Sequence, residues 1–118
     1  MLQKAKSAYT LWLAIAGNIP KTHRYTLGGK IDSQFLDLLE AIFIALYLPI
    51  AKKVDHIDAA IVKLDGVKFF TQVCWENKYI PHKQYGDLFI QLSELGKILG
   101  GWKKGLENKT LAAKREKA

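Results

Sequence analysis

From Tyr85 to Trp102 apolar side chains return at steps of three, four, three, four and three residues, through Leu88, Leu92, Leu95 and Leu99. At 3.6 residues per turn an α-helix gathers those positions into one narrow stripe, whereas a strand would scatter them over both faces. A stripe that alternates three and four is the seam of a helix packed lengthwise against other helices. A chain carrying such a seam must supply the partners that cover it, and the rest of this sequence does so.

Pro20, Pro49 and Pro81 divide the chain into four segments, each with helical periodicity. The first helix is expected over residues 2–17, where Leu2, Ala5, Tyr9, Trp12, Ile15 and Ile19 recur at steps of three or four, with Gly17-Asn18 as the stop. The second runs from Tyr25 or Thr26 to Leu48, facing inward with Leu27, Ile31, Phe35, Leu38, Ile42 and Leu46. The third follows Pro49 to about Lys78 through Ile57, Ala60, Ile61, Leu64, Val67 and Cys74, and the fourth starts near Pro81. Short connections between long helices make neighbours antiparallel, so the fold class is all-α, an up-down-up-down four-helix bundle. No internal repeat supports a helical hairpin array. Residues 1–104 are expected to form the bundle domain, and 105–118 a basic, flexible C-terminal tail.

At 118 residues the chain has room for one core. Eighteen Lys and Arg against eleven Asp and Glu give a formal charge of +7, of which residues 103–118 carry +4. Such a surplus suits an anionic partner such as nucleic acid, and equally a solubilising surface. The single Cys74 excludes an intramolecular disulfide and fits a reducing, cytoplasmic setting. No signal peptide is read at the N-terminus, and the uncharged run from Ala41 to Ala51 falls short of the roughly 20 residues a membrane span needs.

Two helices carry more apolar surface than one bundle uses. Opposite its inward stripe the second helix holds Leu36, Phe43 and Tyr47, and the third holds Val62, Phe69 and Val73. A helix apolar on two sides is buried on two sides. A second copy of the chain would cover these residues, giving a homo-oligomer; a wider intramolecular core is the other arrangement that fits.

Catalytic and metal chemistry find little support. His23, His56 and His82 stand apart, none at metal-ligand spacing. A di-metal carboxylate bundle needs Glu-x-x-His on two helices, yet Glu40, Glu76 and Glu94 are followed three residues on by Phe43, Tyr79 and Lys97. Asp55 and Asp58 complement the dipole at the start of the third helix, and Cys74 reads as a small core residue. Gly28-Gly29 and Gly100-Gly101 follow no strand, so they are not phosphate loops; they read as places where helices approach closely. No catalytic residue, cofactor, metal or small-molecule substrate is expected.

Lys83, Lys97 and Lys104 fall within about 60° on the face of the fourth helix opposite the leucines, interrupted by Ile90 and flanked by Asp87 and Glu94, with Lys103 continuing towards the tail. The row suits sequence-independent phosphate contact, or is an ordinary solvated face. Few aromatics are expected to be free to stack on bases.

Three stretches carry a family resemblance. Ile19-Pro20-Lys21-Thr22-His23-Arg24-Tyr25-Thr26-Leu27-Gly28, followed by Lys30-Ile31, resembles the junction between the first two helices of the accessory variability determinant (Avd) family of diversity-generating retroelements. Leu64-Asp65 and the run to Trp75 are similar to that family's third helix. Lys83-Gln84-Tyr85 and Leu95-Gly96-Lys97-Ile98-Leu99-Gly100-Gly101-Trp102 are similar to its fourth. The resemblance implies a non-catalytic accessory protein whose bundles form a barrel-shaped homopentamer with a basic surface. It implies binding to a reverse transcriptase and its RNA, with DNA as a further candidate, in support of mutagenic cDNA synthesis. Arg24, Lys83, Lys97, Lys103 and Lys104 are then the candidate nucleic-acid or polymerase contacts, and Leu36, Phe43, Tyr47, Val62, Phe69 and Val73 the oligomer interface. Proteins encoded in intervening sequences of ribosomal RNA share the bundle, so the alternative is a stand-alone oligomeric scaffold of that type with no polymerase partner.

Overall fold

In the computed structural model, which describes residues 1–117, the chain is helical throughout, and no strand occurs among the described residues. Helix α1 spans Leu2–Ala16. After Pro20 come one α-helical turn, Lys21–His23, and a π-helical segment, Arg24–Gly28, leading directly into α2, Gly29–Tyr47. Helix α3 spans Ile50–Glu76 and α4 spans His82–Lys117. Cross-helix pairs fix the topology. Lys4 meets Glu94 while Asn18 meets Gln84, so α1 and α4 are antiparallel; Asp37 meets Lys63 across α2 and α3, and Asp58 meets Lys103 across α3 and α4. The antiparallel four-helix bundle expected from the sequence is the observed arrangement.

The junctions follow from simple backbone chemistry. Leu48 is extended (ψ 154°) because it precedes proline, and Pro49 opens α3 with its fixed φ. The last carbonyls of α2 lack intrahelical donors, and the Lys53 ammonium supplies them, donating to Ala45 O at 2.7 Å and Leu46 O at 3.1 Å. The same ammonium sits 5.8 Å from the ring centre of Trp102, tying the end of α2 to α4. Helix α3 ends in a Schellman motif: Tyr79 N–H donates to Cys74 O at 2.8 Å and Lys78 N–H to Trp75 O at 2.9 Å. The motif requires a left-handed residue, and Lys78 occupies it at φ 63° where glycine is usual.

The core is built from Trp12, Ile15 and Ile19, then Ile31, Phe35, Leu38 and Ile42, then Ile57, Leu64 and Val67, then Leu88, Leu92, Leu95 and Leu99. Trp12 stacks on Phe35 with ring centres 6.3 Å apart, and Tyr9 packs on the same ring at 5.5 Å. Thr71 is the one polar residue in the buried set among the described residues; its hydroxyl is satisfied by Val67 O at 2.7 Å.

Three expectations change. Leu46 is 41% exposed, because Ala41 and Ala45 take the inward positions and leave it at the edge of the stripe. The fourth helix does not stop at the expected boundary near residue 104. The helix continues to Lys117 with Leu106 buried, so the stretch expected as a tail is helical as far as it is described. Nor do Gly100 and Gly101 bring helices together, since a Cβ at either would meet nothing within 4 Å. Close approach falls instead at Gly66, where a Cβ would lie 2.6 Å from Gln34 Nε2, and at Gly96, 3.2 Å from Lys68 Nζ.

Candidate nucleic-acid and self-association surfaces

Lys83, Lys97 and Lys104 all stand exposed on the outer face of α4. Leucines on the opposite face hold that helix against α3 and α1, so the lysine row is carried on a fixed rod rather than a loop. Ile90 in the row is 57% exposed. Of the two flanking acids, Glu94 is paired with Lys4 at 2.9 Å.

Two of the candidate cations have structural work within the chain. Lys103 is half-buried and turned towards α3, 2.7 Å from Asp58 and 3.9 Å from Glu107. The hydrogen bond to Asp58, and then that residue's charge, push the Lys103 pKa up, so it stays protonated as an inter-helix tie. Arg24 Nη2 donates to Gly17 O at 3.2 Å and Ile19 O at 3.1 Å, capping the end of α1 with a positive charge while the side chain remains exposed.

Leu36, Phe43, Tyr47, Val62 and Phe69 are all exposed on faces of α2 and α3 turned away from the core, and Val73 is half-buried. Phe43 packs on Tyr47 at 5.0 Å, so part of this surface is a preformed aromatic pair. The wider intramolecular core is therefore not realised; these residues lie outside the bundle.

Aromatic surface is richer than expected from the sequence. Tyr25 is 91% exposed, and Phe89 is exposed at the end of a cluster in which Trp75 and Tyr85 stack at 4.8 Å with planes 7° apart. His82 joins that cluster, and His23 stacks on Tyr79 at 5.4 Å. The signal for the cluster was available: His82, Tyr85 and Phe89 repeat at helical spacing just across the turn from Trp75. Tyr25 could not be found that way, because it belongs to no repeating apolar row.

No three His, Cys, Asp or Glu side chains lie close enough to hold a metal ion among the described residues. Burial pushes the Cys74 thiol up to about 11, which keeps it protonated and unreactive at neutral pH. Among the described residues no helix is long and apolar enough to cross a membrane.

A family model described as bAvd-like matches residues 1–106. A comparison with curated proteins found no match. Among solved structures, the chain is similar in fold to a protein of unknown function from the S23 ribosomal protein family of Bacteroides thetaiotaomicron. The TM-score is 0.64 at 15% identity, over 86% of this chain and 98% of that one.

Proposed function

The chain belongs to the bAvd-like family, and we propose that it serves a diversity-generating retroelement as a non-catalytic accessory protein. In this reading it acts in the cytoplasm, self-associates as a ring, with five copies the expected number, and binds a reverse transcriptase together with its template RNA. The family match over residues 1–106 is the observation that carries the reading. Two features of the molecule support it. The apolar faces of α2 and α3 supply surface that a neighbouring copy would cover, and Lys83, Lys97 and Lys104 present charge on the face of α4 opposite its seam. Arg24 joins them as a contact in its exposed part, whereas Lys103 contributes mainly through Asp58 to holding α4 in place.

The test is to look for a reverse-transcriptase gene beside its own and to reconstitute the chain with that enzyme. Co-purification of the two, and template-RNA-dependent cDNA synthesis that requires this chain, is the expected outcome. Charge reversal at Lys83, Lys97 and Lys104 should weaken RNA binding without altering the helical signal, with the loss greatest at low salt. A reverse transcriptase that neither binds the chain nor changes activity with it would refute the reading. The second reading is a stand-alone oligomeric scaffold with no polymerase partner; the S23-family protein shares the fold.

A further inference from the structure

Where α1 meets the π-helical segment the bundle leaves a cleft of ≈ 210 Å³, lined on one side by Trp12 and on the other by Arg24, Tyr25, Gly29 and Asp32. We propose that this cleft holds a single nucleobase of a bound single-stranded nucleic acid. The inference rests on the nucleic-acid reading above and assigns it a place.

Four observations converge. The first is that Trp12 is only 1% exposed, yet its indole Nε1–H has no acceptor within the protein. A buried donor of this kind costs about 1–3 kcal/mol while it stays unpaired, and a small shift of Trp12, which lines the cleft, would bring it to an acceptor held there. Second, Asp32 is held in place by Tyr9, whose hydroxyl donates to Oδ1 at 2.8 Å, so the carboxylate is fixed as an acceptor. Tyr9 itself stays protonated, its pKa pushed up by burial and then by the Asp32 bond and charge. A fixed acceptor, together with a donor that a small shift of Trp12 would bring to the cleft, matches the mixed hydrogen-bonding edge of a base such as cytosine.

Third, Tyr25 stands 91% exposed beside the cleft, an unhindered ring on which a base can stack. Arg24 is anchored there by its two carbonyl bonds through Nη2, which leaves Nε and Nη1 to meet a phosphate, and Lys21 and Lys30 are exposed on the same short stretch. Fourth, Gly29 has ordinary helical angles (φ −63°, ψ −37°), and a Cβ on it would meet nothing within 4 Å. Its missing side chain leaves the cleft open and is required neither by backbone geometry nor by packing. The volume lies below the 300–1,000 Å³ or so usual for drug-sized ligands, which suits one planar ring rather than a whole cofactor.

The test compares two fluorescein-labelled strands of equal length and charge, a deoxycytidine decamer and its abasic counterpart, by fluorescence anisotropy at low salt. Wild type is expected to prefer the base-bearing strand by about tenfold to a hundredfold. Gly29→Leu fills the cleft with a better helix former, so the fold is retained. It should abolish the preference while leaving affinity for the abasic strand unchanged, and Tyr25→Ala should reduce the preference. Cytidine monophosphate should shift the indole N–H proton resonance of Trp12 but not those of Trp75 and Trp102, and the shift should vanish in Gly29→Leu. Equal binding of both strands by wild type, or a preference that survives Gly29→Leu, overturns the cleft and leaves the accessory role standing. Failure of wild type to bind either strand overturns the cleft and the nucleic-acid part of the proposed function together.

Discussion

Lys78 stands at φ 63°, in the position of a Schellman motif that glycine usually fills. An L-residue there brings its Cβ against the following carbonyl, at a cost of about 1–2 kcal/mol. Glycine removes that cost but loses more backbone freedom on folding, about 0.5–1 kcal/mol. The net gain from a glycine relative to any ordinary side chain is therefore about 1 kcal/mol. Lys78 also brings a positive charge to the C-terminal end of α3, worth about 0.3–1 kcal/mol, and that is lost with the side chain. Lys78→Gly and Lys78→Ala both forfeit the charge, so their difference isolates the backbone. Lys78→Gly is expected to be more stable than Lys78→Ala by about 1 kcal/mol, a Tm difference of roughly 3–6 °C for a chain of this size. Urea unfolding followed by circular dichroism, with all three proteins at one concentration so that self-association does not intrude, measures it. If Lys78→Ala matched Lys78→Gly, no left-handed strain would exist at this turn and the reasoning would fail.

Leu95→Ala in the buried seam of α4 should cost about 2–5 kcal/mol, read as a drop in the urea midpoint with unchanged slope. Lys53→Met keeps the aliphatic stem but removes the donor to Ala45 O and Leu46 O and the charge over Trp102. A loss of about 1–2 kcal/mol, accompanied by a change in Trp102 fluorescence, is expected. For Cys74 the folded pKa of about 11 lies above the ordinary 9.0, so the unfolded chain releases its proton first. Stability should therefore fall as pH rises from 9.0 to about 11, by about 2–3 kcal/mol, and Cys74→Ala should flatten that part of the profile. The raised Tyr9 and Tyr85 act in the same direction at the upper end and would remain in the variant.

Periodicity revealed the four helices because each buries one stripe, and burial is what selects leucine and isoleucine at those steps. Leu88, Leu92, Leu95 and Leu99 are all in the core, as their spacing requires. The same logic identified Leu36, Phe43 and Phe69 as surplus, and they are exposed. What periodicity could not show is where it is interrupted. The π-helical Arg24–Gly28 changes the phase of the chain just before α2, and nothing in the apolar spacing marks it. Polar side chains were equally opaque, because their partners are distant in sequence. Lys103 belongs to the basic stretch by sequence, yet it bonds Asp58 on the neighbouring helix. The small space at Gly66 is likewise set by Gln34, thirty-two positions away.

The π-helical segment has a consequence for how this chain can change. A π turn is an α-helix with one residue too many, so deleting Thr26 would let Lys21 to Tyr47 run as one regular helix. The deletion would cost little in backbone hydrogen bonds, and the stripe from Ile31 to Ile42 would keep its register against α3. With α1 still packed in the core, the short stretch between Pro20 and the deletion would rotate by about 100° relative to that stripe. Arg24 would leave the carbonyls of Gly17 and Ile19, and Tyr25 would leave the cleft. One codon thus separates a chain that folds from a chain that folds with this junction intact, which makes the extra residue a position where descent can erase a surface while sparing the bundle beneath it.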